Sequence, residues 1–170
     1  MGRIFGTDGV RGIANKDLTC ELAMNIGRAV ATVLANNKHK RPKILIGKDT
    51  RLSSNMLEGA LLAGICSLLG VVPTPAVAYL VKKYKADAGI MISASHNSYE
   101  FNGIKIFDSN GYKLPDKIEN QIEELLESEF KNSREFIGDK LGNVSIEKNA
   151  VSDYISHLES TVSGNLSGVK

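Results

Sequence analysis

A chain of 170 residues, 42% of them hydrophobic, is long enough for one domain with a real core and too apolar to be disordered. A formal net charge of +2, with no long basic run, argues against nucleic acid as a partner. No stretch reaches the ~18 consecutive apolar residues of a membrane span, and the opening MGRIFGTDGVRG lacks the apolar centre of a signal peptide.

In chain order, the opening reads as a loop. Gly6, Gly9 and Gly12 serve tight turns there, and they do not follow a strand and open a helix as a dinucleotide fingerprint would. Thr19 stands where it can cap a helix that carries Leu22, Ile26, Val30 and Val33 on one face, and NNKHKRP breaks that helix. KILIG, residues 43–47, is a short continuous apolar run, as expected of a strand covered on both faces. KDTRLSSN is a polar turn in which Asp49 and Arg51 read either as support for a site or as an internal ion pair. Asn55 and Glu58 have capping-box spacing, and Leu57, Leu61, Ile65 and Leu68 continue one helical face. VVPTPAVAYLVKKY predicts a turn and then a helix, with Thr74 at the cap and Pro75 at its first position.

AGIMIS is the next buried strand. The chain then turns through Asn102-Gly103 into another, NGIKIF. After the turn DSNG, Asp116 and Glu119 repeat the capping-box spacing ahead of Ile118, Ile122, Leu125 and Leu126. Residues 128–148 are polar and connector-like, and a last helix carries Val151, Tyr154, Ile155 and Leu158 on one face. SGNLSGVK reads as a linker entering another strand. The expected organisation is therefore one domain over residues 1–150, with residues 151–170 as helix and linker toward a second domain of a longer protein. Cys20 and Cys66 both fall in helical apolar patterns and read as reduced, packed thiols, which fits a cytoplasmic protein.

Strands that alternate with helices predict a layered α/β domain, in which ligands bind beyond the carboxyl ends of the strands. There the sequence places SASHN, Ser93 to Asn97. A hydrolase nucleophile is disfavoured, because the G-x-S-x-G elbow is absent and Ser95 and His96 are adjacent in sequence. Two readings remain from the residues alone. One is a phosphate cradle or phosphoryl carrier, with small residues that leave backbone N–H groups open, a hydroxyl on Ser95, and positive charge from Lys105 and Arg11. The other is a plain polar turn.

MISASHNSYEFNGIKIF closely resembles the phosphoserine loop of the α-D-phosphohexomutase superfamily. FGTDGVRG (residues 5–12), IGKDTRLSS (46–54) and PTPAVAYL (73–80) resemble one branch, the bacterial phosphoglucosamine mutases. The four motifs stand in family order across essentially the whole chain. The resemblance implies the first, phosphoserine-bearing α/β/α domain of that fold, with a mixed sheet. It also implies a mutase that interconverts glucosamine 6-phosphate and glucosamine 1-phosphate through a bisphosphate, for UDP-N-acetylglucosamine and the cell wall. Phosphomannomutase or phosphoglucomutase is the nearest alternative, and a non-catalytic module that carries phosphate or binds phosphosugar is another.

In this family the serine of the Ala-Ser-His-Asn motif carries the phosphoryl group, here Ser95. Mg2+ binds an oxygen of that phosphate, and its other ligands are aspartates of a D-G-D-x-D-R loop in the second domain. Ser95, through its phosphate, is the one metal-site residue the resemblance implies here, and His96 contacts phosphate or orients the loop. The resemblance implies that Lys105 stabilises charge near the phosphoserine and assists proton transfer, that Arg11 reaches the phosphoryl group, and that Ser93 and Asn97 bind phosphate or support the loop. The implied partners are a phosphosugar and the remaining domains of the same protein, with a homodimer left open. Two departures stand out. Ser98 replaces the family's usual proline. Several residues are also missing near Ser67–Leu68, which predicts a sheet short of one strand with an edge exposed.

Overall fold

The computed structural model describes residues 4–38, 42–62, 66–130, 143–164 and 168. The elements are β1 (Val10–Ile13), α1 (Cys20–Lys38), β2 (Ile44–Lys48), α2 (Leu52–Leu61), β3 (Cys66–Val71), α3 (Thr74–Lys83), β4 (Ala88–Ile92), β5 (Phe101–Asp108), α4 (Asp116–Glu127), β6 (Ser145–Ile146) and α5 (Ala150–Ser160). They build a mixed six-stranded sheet in the order β1-β5-β4-β2-β3-β6. The strands β4, β2, β3 and β6 are parallel, and β5 runs antiparallel to both β4 and β1.

Period-two alternation divides the central strands between two cores. Ile44, Ile46, Ile90, Ile92, Ile104 and Ile106 face α1, α2 and α4, where Ile26, Leu57, Leu61 and Ile122 are fully buried. Leu45, Leu69 and Met91 face the other layer, against Val77, Leu80 and Val81 of α3 and Ala150 of α5. Burial on both faces explains why β2 and β4 are continuous apolar runs rather than alternating ones. Gly89 is what lets α3 settle on the sheet: a Cβ there would lie 2.4 Å from Val81 Cγ2 and 2.8 Å from Val77 Cγ1.

Several local expectations are corrected. The opening is not all loop, because Val10–Ile13 pairs with β5 and Gly12 lies in a strand. Gly9 does occupy a tight turn, with φ 81° and a backbone pair to Gly6. The sheet has not lost a strand. The helix α2 stops at Leu61, and Leu68 belongs to β3, which pairs in parallel with β2; Ile65 falls outside the described residues. Periodicity cannot separate a short apolar helix end from a buried strand, and the vacant edge of β2 decides it here. Cys66 is accordingly in a strand, while Cys20 is a free thiol at the start of α1. The strand β6 lies inside the segment expected to be a connector, joined to β3 by its ladder and by a Ser67–Ser145 hydroxyl contact of 2.8 Å.

The helix starts follow tertiary partners more than sequence spacing. Thr19 Oγ1 does accept the Leu22 N–H at 3.1 Å. The starts of α2, α3, α4 and α5 lack a side-chain cap. The helix α2 begins at Leu52, so Asn55 and Glu58 lie within it and both accept from Lys48 Nζ. The helix α3 begins at Thr74, with Pro73 in the cap position. Glu119 is buried and pairs with Lys113 instead of capping α4. Asn102 and Gly103 are in β5, not in a turn. In α5 the expected face is half bare, with Val151, Ile155 and Leu158 at 50%, 48% and 45% exposure. The contact side carries Tyr154 and His157, whose ring stacks on Tyr79 at 3.9 Å, while Asp153 accepts from Tyr84 Oη at 2.6 Å.

Replacement Gly89→Ala is expected to push α3 off the sheet and destabilise the fold by about 1–3 kcal/mol. A urea titration followed by circular dichroism measures it, and an unchanged midpoint contradicts this packing account.

Candidate functional site

The site forms where two neighbouring parallel strands end together. The strand β4 finishes at Ile92, whose carbonyl accepts the Asp49 N–H at 3.0 Å, so the segment after β2 lies beside the segment after β4. Ser93 is still tied to β5 through its N–H and Gly103 O, at 2.9 Å, and Ala94 is fully buried. The chain then surfaces: Ser95 and His96 are exposed and Asn97 half-buried. Ser95 has φ 57°, a left-handed backbone that a non-glycine residue adopts at a cost and that recurs at functional loops. Its N–H donates to Ser93 Oγ at 3.0 Å.

Arg51 holds this loop. Its Nη1 donates to the carbonyls of Ser98 and Phe101 at 2.7 and 3.2 Å, and its Nη2 to those of Ser95 and Asn97, each at 2.9 Å. The remaining donor, Nε, bonds Asp49 Oδ2 at 3.0 Å. Asp49 Oδ1 accepts the Arg51 backbone N–H and the Ser54 hydroxyl at 3.1 and 2.8 Å. Burial by itself would raise the Asp49 carboxyl. The hydrogen bonds from the Arg51 N–H, the Ser54 and Ser93 hydroxyls and the Arg51 guanidinium outweigh it and hold the group below the ordinary aspartate value of 3.8. The network continues inward through Asn102, which is fully buried; its amide donates to Ser53 Oγ and Ser54 Oγ, and its Oδ1 accepts the Gly103 N–H at 2.8 Å.

Of the expected site residues, four line two clefts, and Arg11 and His96 line neither of these. Ser93, Ser95 and Asn97 line one of 670 Å³, with Asp49, Thr50, Arg51, Leu52 and Tyr99. Arg11, opposite Gly103 in the β1–β5 pair, reaches Asn97 Oδ1 with Nη1 at 3.2 Å and pairs with Asp8 through Nη2 at 3.1 Å. Its Nε is buried without a partner. It can cross the sheet because residue 103 is glycine: a Cβ there would stand 3.1 Å from Arg11 Cγ and 2.9 Å from Ser93 O. Lys105 is two residues along β5 on the same face, opposite Met91. It lines a separate cleft of 210 Å³ with Thr7, Asp8, Gly9, Thr74 and Lys113, not the one that holds Ser95. No group of three or more His, Cys, Asp or Glu side chains is placed to hold a metal among the described residues.

The sequence left the role of Arg51 undecided and misassigned Asn102. The signal for Arg51 was the KDTR turn at the end of a buried strand, but its target is 44 to 50 residues away. Only the β2–β4 adjacency connects the two.

A mixed sheet between helical layers, with an exposed serine at the carboxyl end of a central strand, defines an α/β/α domain built around one loop. Residues 2–133 match the family model for phosphoglucomutase/phosphomannomutase, alpha/beta/alpha domain I, and the chain belongs to that family. It is 56% identical to the phosphoglucosamine mutase of Clostridium acetobutylicum and 57% identical to that of Clostridium perfringens strain SM101. All of this chain is covered in both cases, but it spans only 39% of the length of each relative. Each alignment runs over 176 positions against 170 residues here, so some positions of the relatives have no counterpart in this chain. Among solved structures, a candidate phosphomannomutase from Thermus thermophilus superposes with TM-score 0.75 at 26% identity, over 94% of this chain and 36% of that one. Parafusin, a phosphoglucomutase from Paramecium, shares the fold at TM-score 0.74 and 17% identity, over 95% of this chain and 35% of that one.

Because the folded Asp49 carboxyl lies below 3.8, its contribution to stability is fully present above that pH and is lost as pH falls through the lowered value. Urea midpoints for the parent chain and Asp49→Asn should therefore differ at pH 7 and converge as the pH falls below 3.8. A gap that persists unchanged into acid contradicts this assignment.

Proposed function

We propose that this chain is the phosphoryl-carrying domain of a mutase that interconverts glucosamine 6-phosphate and glucosamine 1-phosphate, with Ser95 as the carrier. The observation that carries the reading is the presentation of Ser95: an exposed hydroxyl on a left-handed residue, at the carboxyl end of a buried strand, on a loop whose carbonyls are tied down. The phosphoglucosamine mutases at 56% and 57% identity support this sugar over mannose or glucose. Since the chain spans 39% of their length, the activity is proposed for the longer protein.

Phosphoryl transfer is chiefly a matter of positioning and charge stabilisation. The sugar 1-hydroxyl oxygen bonds to phosphorus as the Ser95 Oγ–P bond breaks, and its proton leaves to a base. The bisphosphate turns over, the 6-phosphoryl passes back to Ser95 Oγ, and the other phosphate isomer departs. Arg11, whose planar guanidinium already reaches the serine loop at Asn97, suits the phosphoryl oxygens. Lys105, on the same sheet face, stabilises charge at the far side of the group. His96, exposed beside Ser95, lies within reach of the same phosphate.

Mg2+ is the hard cation that suits such oxygens. This domain offers it the phosphate on Ser95 and no set of carboxylates among the described residues, and Asp49 is already committed to Arg51 and Ser54, so no step is assigned to the metal here. Among the described residues no helix is long and apolar enough to cross a membrane; the cytoplasm is the location we propose.

Ser95→Ala in the full-length protein is expected to abolish turnover, with phosphopeptide mapping of the parent finding the modification on Ser95. A fully active alanine variant, or phosphate on Ser93 instead, overturns the assignment. The 170 residues alone, given glucosamine 6-phosphate, glucose 1,6-bisphosphate and Mg2+, should show no sustained product formation.

A further inference from the structure

We infer that Arg51 is the positioning residue for phosphoryl transfer at Ser95: its guanidinium does not touch the phosphate but shapes the loop that presents it. The inference rests on the reading of Ser95 as the carrier. A guanidinium has five N–H donors. In Arg51 all five are used, four on the carbonyls of Ser95, Asn97, Ser98 and Phe101 and one on Asp49. None remains for a ligand, which separates Arg51 from Arg11, whose guanidinium bonds only Asn97 and Asp8.

Two consequences follow for Ser95. First, the carbonyl of Ser95 is itself one of the four acceptors, so the left-handed turn at φ 57° is fastened at the residue that must hold it. Asp49 and Ser93 fasten it from the other side, since Ser93 Oγ accepts the Ser95 N–H. Second, four carbonyl dipoles converge with their negative ends on one cation. Left unpaired, they would add negative potential next to a phosphoryl group that carries roughly −1.5 to −2 charge. Bound to Arg51, they are neutralised, and the cation lies directly under the loop. A lysine cannot reproduce this, because an ammonium has three donors and no planar fork.

The test uses the full-length protein, with Arg51→Lys, Arg51→Ala and Asp49→Asn, the last of which removes the carboxylate charge and one of the two oxygens that accept from Arg51, Ser54 and Ser93. Thermal unfolding establishes that each variant is folded, and glucose 1,6-bisphosphate serves as phosphoryl donor. Arg51→Lys should lose about 100-fold in kcat with KM little changed, as expected when a reacting group is displaced by about 1 Å. Asp49→Asn should lose about tenfold, and methylguanidine, but not methylamine, should restore part of kcat to Arg51→Ala. Should Arg51→Lys fail to fold, the Asp49→Asn loss decides in its place, and kcat unchanged there overturns the inference. A folded Arg51→Lys with kcat within about threefold of the parent, or a loss confined to KM, overturns it while leaving Ser95 as carrier intact. Absence of phosphate on Ser95 in the parent protein overturns both.

Discussion

One guanidinium, half-buried against a loop and bonded through every donor it has, is what the site depends on. Arg51 reaches four carbonyls spread over residues 95 to 101, and no segment of sequence close to that loop supplies an equivalent restraint. A polar loop at a strand end ordinarily satisfies its carbonyls with water and remains adaptable. Here they are satisfied from within, so the loop can expose a serine in an unfavourable backbone region without relaxing out of it. The acid that fixes Arg51 is itself held ionised by hydroxyls from both flanking segments, so the charge pair is part of a satisfied network rather than an isolated ion pair.

The layers serve this arrangement. Parallel pairing of β2 with β4 brings residues 49–51 alongside residues 93–98, and burial of both strands on two faces leaves little freedom in register. Antiparallel return through β5 places Asn102 beneath the loop and Gly103 beside Arg11. At this end of the sheet Asn102, Ser54 and Asp49 form a chain of bonds from the start of α2 to the serine loop. The apolar interior is divided between the two sheet faces.

Arg11 and Lys105 sit on one sheet face but have different surroundings, Asn97 and Asp8 for Arg11 and a separate cleft for Lys105. Arg11 is joined to the serine loop through Asn97 and to the turn before β1 through Asp8. Lys105 opens on the neighbouring cleft, with Thr74 and the turn at Gly9.

By itself the sequence determined the α/β class, the two central strands, the main helices, and the serine loop at a carboxyl strand end, since burial on both faces and helical periodicity leave clear marks in composition. It also carried the family likeness, because that resides in contiguous motifs. It did not determine β1, β6 or the boundary between α2 and β3: short strands take their identity from a free edge to pair with, and that edge belongs to distant residues. Only the tertiary structure decided that Asn102 is a buried strand residue and that Arg51 is a clamp. Both are defined by partners about 50 residues away, brought together by a strand order that local pattern does not encode.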